Sequence, residues 1–335
     1  GNLSRVRRAL WPIELRARTL SVPGSGGALT IPLRHATLPG MSSRGTNLVI
    51  RAGRGAVALE STLLVHGVPR PQAMSLARDL GNAVREAGAV PALVGIVGGR
   101  PIVGMTDDEL QTLLDAPEAV PKANASNLGL LLHRGSHGAT TVSATMELAA
   151  AAGLQVFATG ALGGVHRGFA RTLDISSDLV ALTRFPIAVV TSGVKSLLDV
   201  AATREALETQ GTPVVGYQTS RFPAFYRRAS DDGAADVDAR FDDFSELAAF
   251  AKSELARTGR GIVVANPIPA AHELSPADWQ RWLSDAESQA NAAGVVGRAV
   301  TPFVLARLHE VSGGATLSGN TALAKSNASL AGAIA

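Results

Sequence analysis

The stretch from Val156 to Lys195, VFATGALGGVHRGFARTLDISSDLVALTRFPIAVVTSGVK, gathers His166, Arg167, Asp174, Ser176, Ser177, Asp178 and Lys195 into one short segment. Gly160, Gly163, Gly164 and Gly168 let the backbone turn tightly and direct free N–H groups at an anion. Asp174 and Asp178 stand at i, i+4, carboxylates suited to a metal or a proton. Lys195 follows the apolar run Pro186–Val190. A lysine just past a buried strand is a place where desolvation can lower an amine pKa and make it a nucleophile. The loop sequence GALGG follows neither the dinucleotide nor the P-loop glycine pattern. By itself a glycine-rich strand-to-helix loop is more often a turn than a phosphate cradle. The crowding of reactive groups is what points to an anion site with carboxylates and an amine nearby.

The elements that must position these groups follow from hydrophobic periodicity. Short apolar runs at Val57–Leu59, Val90–Val97, Pro101–Val103, 154–158, 186–190, 213–217 and 261–265 read as strands. Pro69-Arg70-Pro71 breaks the chain before a helix over Gln72–Ala87, with Met74, Ala77, Leu80 and Val84 on its buried face. Thr106-Asp107-Asp108-Glu109 is a capping box that opens another. Further helices are predicted over Thr140–Ala152, 194–209, 244–257 and 275–293, and two more in the tail from Thr301, broken at Gly313-Gly314. Lys122–Asn127 reads as a polar loop and 220–242 as an irregular excursion. Strands alternating with helices predict an α/β protein, a three-layer α/β/α arrangement with a mainly parallel central sheet. Ligands in such folds sit beyond the carboxyl ends of the strands. Glu60, Thr159, the residues after Val190, and Asn266 all fall there.

Composition sets the bounds. The chain has 335 residues, 46% of them hydrophobic but only 4% aromatic, so a large core must be packed from small and aliphatic side chains. Cysteine is absent, which removes disulfides and thiolate ligands and suits a reducing cytoplasm. The net charge of +3 is carried by the first 40 residues, whose six arginines and single Glu14 leave −2 for the remaining 295. A nucleic-acid partner is therefore not expected. No apolar run approaches a membrane span, and the Arg-rich start lacks a continuous apolar segment of signal-peptide type. Met41 and the Pro23–Gly27 run suggest that residues 1–45 are an N-terminal extension, flexible or not native to the fold, with an organelle-targeting role as the alternative. One catalytic domain is expected over 46–335.

Several motifs, in one order, resemble the pseudouridine-5′-phosphate glycosidase family: Ala58–Gly67, Gly138–Val142, Thr159–Gly168, Asp174–Leu179, Gly193–Ser196, Gly216–Thr219, Ala265–Pro269, Thr301–Phe303 and Asn320–Ala335. The resemblance runs from about residue 56 to the end. It implies a homotrimer that splits pseudouridine 5′-phosphate reversibly into uracil and ribose 5-phosphate through a lysine imine of the open-chain sugar. A C–C glycosidic bond has no leaving-group oxygen to protonate, so it needs such an electron sink rather than the paired-carboxylate scheme of ordinary glycosidases. On this resemblance Lys195 is the imine-forming lysine, Glu60 the proton donor, and Asp174 the ligand of a single Mn²⁺, with Asp178 one turn later able to hold a metal-bound water. Lys122, Thr159, His166, Ser176, Ser177 and Asp178 are the implied phosphate and sugar contacts, and Val142 and Asn320 lie near the base.

The chain departs from the family pattern at the loop holding Asn124, Ser126 and Asn127, at Ala161, where a second glycine is usual, and at Asn47–Arg51, where a helix is usual. These changes leave the chemical residues in place and alter the pocket lining. They raise a second reading, a C-glycosynthase that joins ribose 5-phosphate to a non-uracil aromatic aglycone in natural-product biosynthesis. A third reading is a sugar-phosphate-binding module without turnover, which the joint presence of Glu60, Asp174 and Lys195 speaks against.

Overall fold

A computed structural model of the chain describes residues 47–230, 235–295 and 300–335. The expected extension lies outside the described residues, as does Asp231-Asp232-Gly233. The strands in chain order are β1 (Val49–Ile50), β2 (Ala56–Glu60), β3 (Val90–Val97), β4 (Arg100–Val103), β5 (Lys122–Ala123) and β6 (Gly138–Thr140). They continue as β7 (Val156–Ala158), β8 (Val165–His166), β9 (Ala188–Thr191), β10 (Leu198–Asp199), β11 (Val214–Tyr217), β12 (Ala239–Phe241) and β13 (Ile262–Ala265). The main sheet runs β1-β4-β3-β2-β7-β9-β13-β11-β12. All neighbours along it are parallel except the hairpin pair β3 and β4. β6 pairs antiparallel with β3 at Gly95 and Ile96, directly beyond the Glu60–Val94 position where β2 ends.

Residues alternate between the two faces, as the period of a strand requires. Val57, Leu59, Val156, Ala158, Val190 and Val264 join one hydrophobic cluster with the helices Arg70–Glu86, Phe244–Thr258, Pro276–Ala292 and Ala315–Ile334. Ala58, Phe157, Val189 and Val263 join the other with the helices Val142–Ala151, Ser177–Arg184 and Val200–Thr209. The predicted three-layer α/β/α architecture is the observed one. Thr106 forms its capping box with Glu109, and the tail holds helices Val300–Val311 and Ala315–Ile334 on either side of Gly313-Gly314.

Several boundaries differ from the sequence reading, each for a local reason. Pro71 sits inside the first turn of the helix Arg70–Glu86, where its missing N–H has no partner to lose. Gly138–Thr140 is strand, so the next helix starts at Val142 rather than at Thr140. The helix expected from 194 starts only at Val200, because Asp199 caps it by accepting from the Ala202 N–H. Lys195 therefore lies in a loop. The excursion after residue 219 returns as β12, which adds a parallel edge strand beside β11. Asn47–Arg51 contributes β1 instead of a helix.

Candidate active site

The carboxyl ends of β2, β7, β9 and β13 lie along one edge of the sheet, and the segments after the last three are tied together by a buried amide. Asn327, on the helix Ala315–Ile334, donates from Nδ2 to the Thr159 carbonyl at 2.8 Å, and its Oδ1 accepts from Asn266 Nδ2 at 2.9 Å. Ser192 Oγ lies 3.2 Å from the same Nδ2 and donates to the Asn266 carbonyl at 2.9 Å. The segments that follow β7, β9 and β13 are thus pinned to one side chain from the C-terminal helix.

Next to this pin opens a cavity of about 430 Å³, within the range of small-molecule sites. Glu60 closes β2 and faces into it, with Lys122 from β5 and Lys195 from the loop after β9. Burial pushes the Glu60 carboxyl up to about 7, against the opposing pull of a hydrogen bond from Thr159 Oγ1 and of the Lys195 and Lys122 charges. Lys122 is held below its usual range, first by desolvation and then by repulsion from Lys195. His66 is lowered too, by burial and by Lys122.

The Lys195 loop is held firmly in its backbone. Gly193 has φ +78°, and a side chain there would run into the Pro223 carbonyl. The Lys195 N–H donates to the Leu162 carbonyl, and its own carbonyl accepts from Leu198. β10 then pairs antiparallel with β8, matching Leu198 to His166, so the lysine loop and the glycine loop are zipped together. The Lys195 side chain is exposed at the cavity. The burial expected from the strand pattern is not found, because the loop carries the lysine out past the strand end.

Asp178 anchors the glycine loop. Its Oδ1 accepts from the Ser143 N–H at 3.0 Å and its Oδ2 from the Gly163 N–H at 2.9 Å. Ser176 caps the helix Ser177–Arg184 by accepting from the Asp178 N–H, and Ser177 Oγ meets Ser143 Oγ at 3.0 Å. A side chain at Gly163 would strike Ser176. Val142 is buried in the first turn of its helix.

Asp174 and Asp178 do not share a helical face, since the helix begins only at Ser177. Asp178 accepts a backbone N–H on each carboxylate oxygen and so anchors the loop structurally. Asp174 sits in the preceding loop, its side chain 58% exposed, with Oδ2 3.8 Å from His166 Nδ1. Among the described residues no group of three or more His, Asp or Glu side chains forms a metal cage. One open carboxylate beside an imidazole is the donor set that suits a hydrated hard cation completed by substrate oxygens and water.

Of the residues singled out in the sequence, Glu60, Lys122, Lys195 and Asn320 line one cavity, and Thr159 bonds to Glu60. Val142, His166, Asp174, Ser176, Ser177 and Asp178 are not in its lining and stand on the adjoining loops and helix starts. The same lining holds Phe225, Tyr226, Trp279 and His309, which the sequence reading left without a role. The aromatics stack in series, Phe225 to Tyr226 at 4.4 Å and Tyr226 to Trp279 at 5.6 Å between ring centroids. Only the FPAFY run of residues 222–226 offered a signal for them.

Comparison with known proteins places these features. The family model described as indigoidine synthase A like protein matches residues 47–335. A pseudouridine-5′-phosphate glycosidase of Methylobacterium nodulans is 47% identical over 285 residues, 85% of this chain and 83% of that one. One from Salinispora tropica is 45% identical over 326 residues, 97% of each chain. Among solved structures, an indigoidine synthase A-like protein of Thermotoga maritima superposes with a TM-score of 0.77 at 35% identity, covering 86% of this chain and 95% of that one. The prealnumycin C-glycosynthase in complex with ribulose 5-phosphate gives a TM-score of 0.78 at 36% identity with the same coverage.

Proposed function

The chain belongs to the pseudouridine-5′-phosphate glycosidase family of indigoidine synthase A-like proteins, and from that premise we propose that it reversibly cleaves pseudouridine 5′-phosphate to uracil and ribose 5-phosphate. The observation that carries this reading is the Glu60 carboxyl, tuned to about 7 and sharing a cavity with Lys195. A group poised near neutral pH can both give and take a proton.

In the direction of cleavage, the free amine of Lys195 displaces the ring oxygen at C1 of the ribose, and the proton that the nitrogen sheds passes to that oxygen, which becomes a hydroxyl as the sugar opens. Glu60 then delivers its proton to C5 of the uracil ring. As the C1–C5 bond breaks, its electron pair returns to the ring and the lysine lone pair forms C1=N. Water hydrolyses this imine, regenerating the amine and releasing ribose 5-phosphate. Synthesis runs the same steps backwards, with the Glu60 carboxylate taking the C5 proton. Lys122 supplies positive charge for the phosphate end, while Asp178 fixes the Gly163 loop. A Mn²⁺ held by Asp174, with His166 beside it, would neutralise phosphate charge when bound. The assembly proposed is a homotrimer, open to test by light scattering.

A second reading has its own support. Ala161 places a methyl in the cavity lining, which also includes Phe225, Tyr226 and Trp279. Both features, with the likeness to a C-glycosynthase, suit an aromatic aglycone other than uracil. Incubating the protein with Mn²⁺, ribose 5-phosphate and uracil, and looking for pseudouridine 5′-phosphate by mass, separates the readings. Product supports the first. Borohydride trapping of the sugar on Lys195 without transfer to uracil supports the second, and no trapping defeats both. Removing the metal with a chelator, or Asp174→Ala, is expected to lower turnover, with Mn²⁺ restoring only the unmutated chain.

A further inference from the structure

His309 lies on the helix Val300–Val311 and lines the same cavity as Glu60 and Lys195. Its Nδ1 is 2.7 Å from Thr316 Oγ1, and Thr316, wholly buried, is also 2.9 Å from Ser312 Oγ. The ring is therefore fixed through one nitrogen. Nε2 has no protein partner among the described residues and is not sealed from solvent. It is therefore left with one hydrogen bond to make to a molecule that enters the cavity. Burial lowers the imidazole pKa, favouring the neutral ring that suits an uncharged partner.

The surroundings define what that ligand is. Trp279, Tyr226 and Phe225, each more than nine-tenths buried, pack in series behind the cavity lining, and Asn320, 6% exposed, holds a buried Oδ1 without a partner among the lining residues. A planar ring in this cavity meets a mainly apolar lining, with His309 Nε2 left to bond its edge. Glu60, Lys122 and Lys195 supply the cavity's charge. The geometry points to His309 as the specificity-determining residue that hydrogen-bonds the polar edge of the aromatic partner, with Thr316 as its positioning residue. The ligand class is a planar aromatic ring carrying a hydrogen-bonding oxygen or nitrogen. This rests on the proposed division of the cavity into sugar-phosphate and aglycone ends.

The test uses the whole chain with ribose 5-phosphate fixed by borohydride, titrated calorimetrically with uracil and separately with 1-naphthol. His309→Leu is expected to bind the better of the two probes about tenfold more weakly, the worth of one lost hydrogen bond, with sugar trapping unchanged. His309→Gln, which keeps a polar tip, recovers part of the loss. Thr316→Val shows a smaller weakening of the same kind, and Thr316→Ser restores affinity. Equal probe affinity in His309→Leu and the unmutated chain overturns the assignment. So does an unmutated chain that traps sugar but binds neither probe. If His309→Leu also loses trapping, the decision passes to His309→Gln: full affinity in that variant overturns the assignment only if Thr316→Val is equally unaffected. An unmutated chain that traps no sugar overturns both this assignment and the imine reading beneath it.

Discussion

The Thr159 hydroxyl donates its hydrogen bond to the Glu60 carboxylate across the seam between β2 and β7. Two parallel strands paired in register end one residue apart, so a side chain from each meets at the sheet's edge. The bond stabilises the ionised carboxylate while burial opposes it, and burial wins.

Glu60→Gln is expected to retain the borohydride-trapped sugar adduct and to lose turnover by about 10²–10⁴-fold, the usual worth of a positioned acid. In the unmutated chain the cleavage rate falls as pH rises through about 7, where the acid form is lost. The same group affects stability. Its folded pKa is raised from 4.5 to about 7, so the unfolded chain releases the proton first. The Glu60 contribution is whole below about 4.5, declines as pH rises, and is gone above about 7, a change of about 3 kcal/mol. Denaturant melts across that window should slope downward in the unmutated chain and flatten in the variant.

Thr159→Val removes the one hydrogen bond that favours the Glu60 anion. The alkaline limb of the cleavage profile should move to higher pH, whereas Thr159→Ser leaves it in place. An unmoved limb in Thr159→Val would assign that limb to another group.

Lys195→Ala should abolish trapping of ribose 5-phosphate altogether. Lys122→Ala should leave trapping intact at saturating sugar and raise the half-saturating concentration by at least tenfold. Adduct formation in Lys195→Ala, located by peptide mass, would mean that another amine forms the imine.

Asp178→Asn keeps the size of the side chain but turns one of its two acceptors into a donor facing an N–H. Either the Ser143 or the Gly163 N–H is then buried without a partner, a cost of about 1–3 kcal/mol. Chemical denaturation measures it, and protease nicking between 160 and 170 should increase.

Much of the sheet was legible because its strands are short β-branched runs bounded by glycine, proline and helix caps. Glu60, Thr159 and Asn266 could be placed at strand ends from that pattern alone. The Lys195 loop was misread as helix because Gly193-Val194-Lys195-Ser196 has no local stop signal; a close approach to Pro223, distant in sequence, holds it open. The Asp174–Asp178 spacing suggested a shared helical face, but the Ser176 cap starts the helix between them. Trp279 and His309 gave no signal, since a lone aromatic or histidine on an amphipathic helix is normally core. Only the folding of the last three helices against Phe225 and Tyr226 makes them a wall.

Asn327→Leu should cost about 2–4 kcal/mol, because the Thr159 carbonyl and the Asn266 amide lose their buried partner together. Turnover in the surviving folded fraction should drop as well, since Thr159 carries the contact to Glu60.

That pin also orders events at the ribosome. Glu60 and Lys195 are both synthesised well before the amide that ties the strand ends together, at position 327 of the chain. A nascent polypeptide halted anywhere short of that point holds its acid and its amine without the clasp between them. Competence for the reaction is thus acquired only once position 327 has been made, after the groups that perform it.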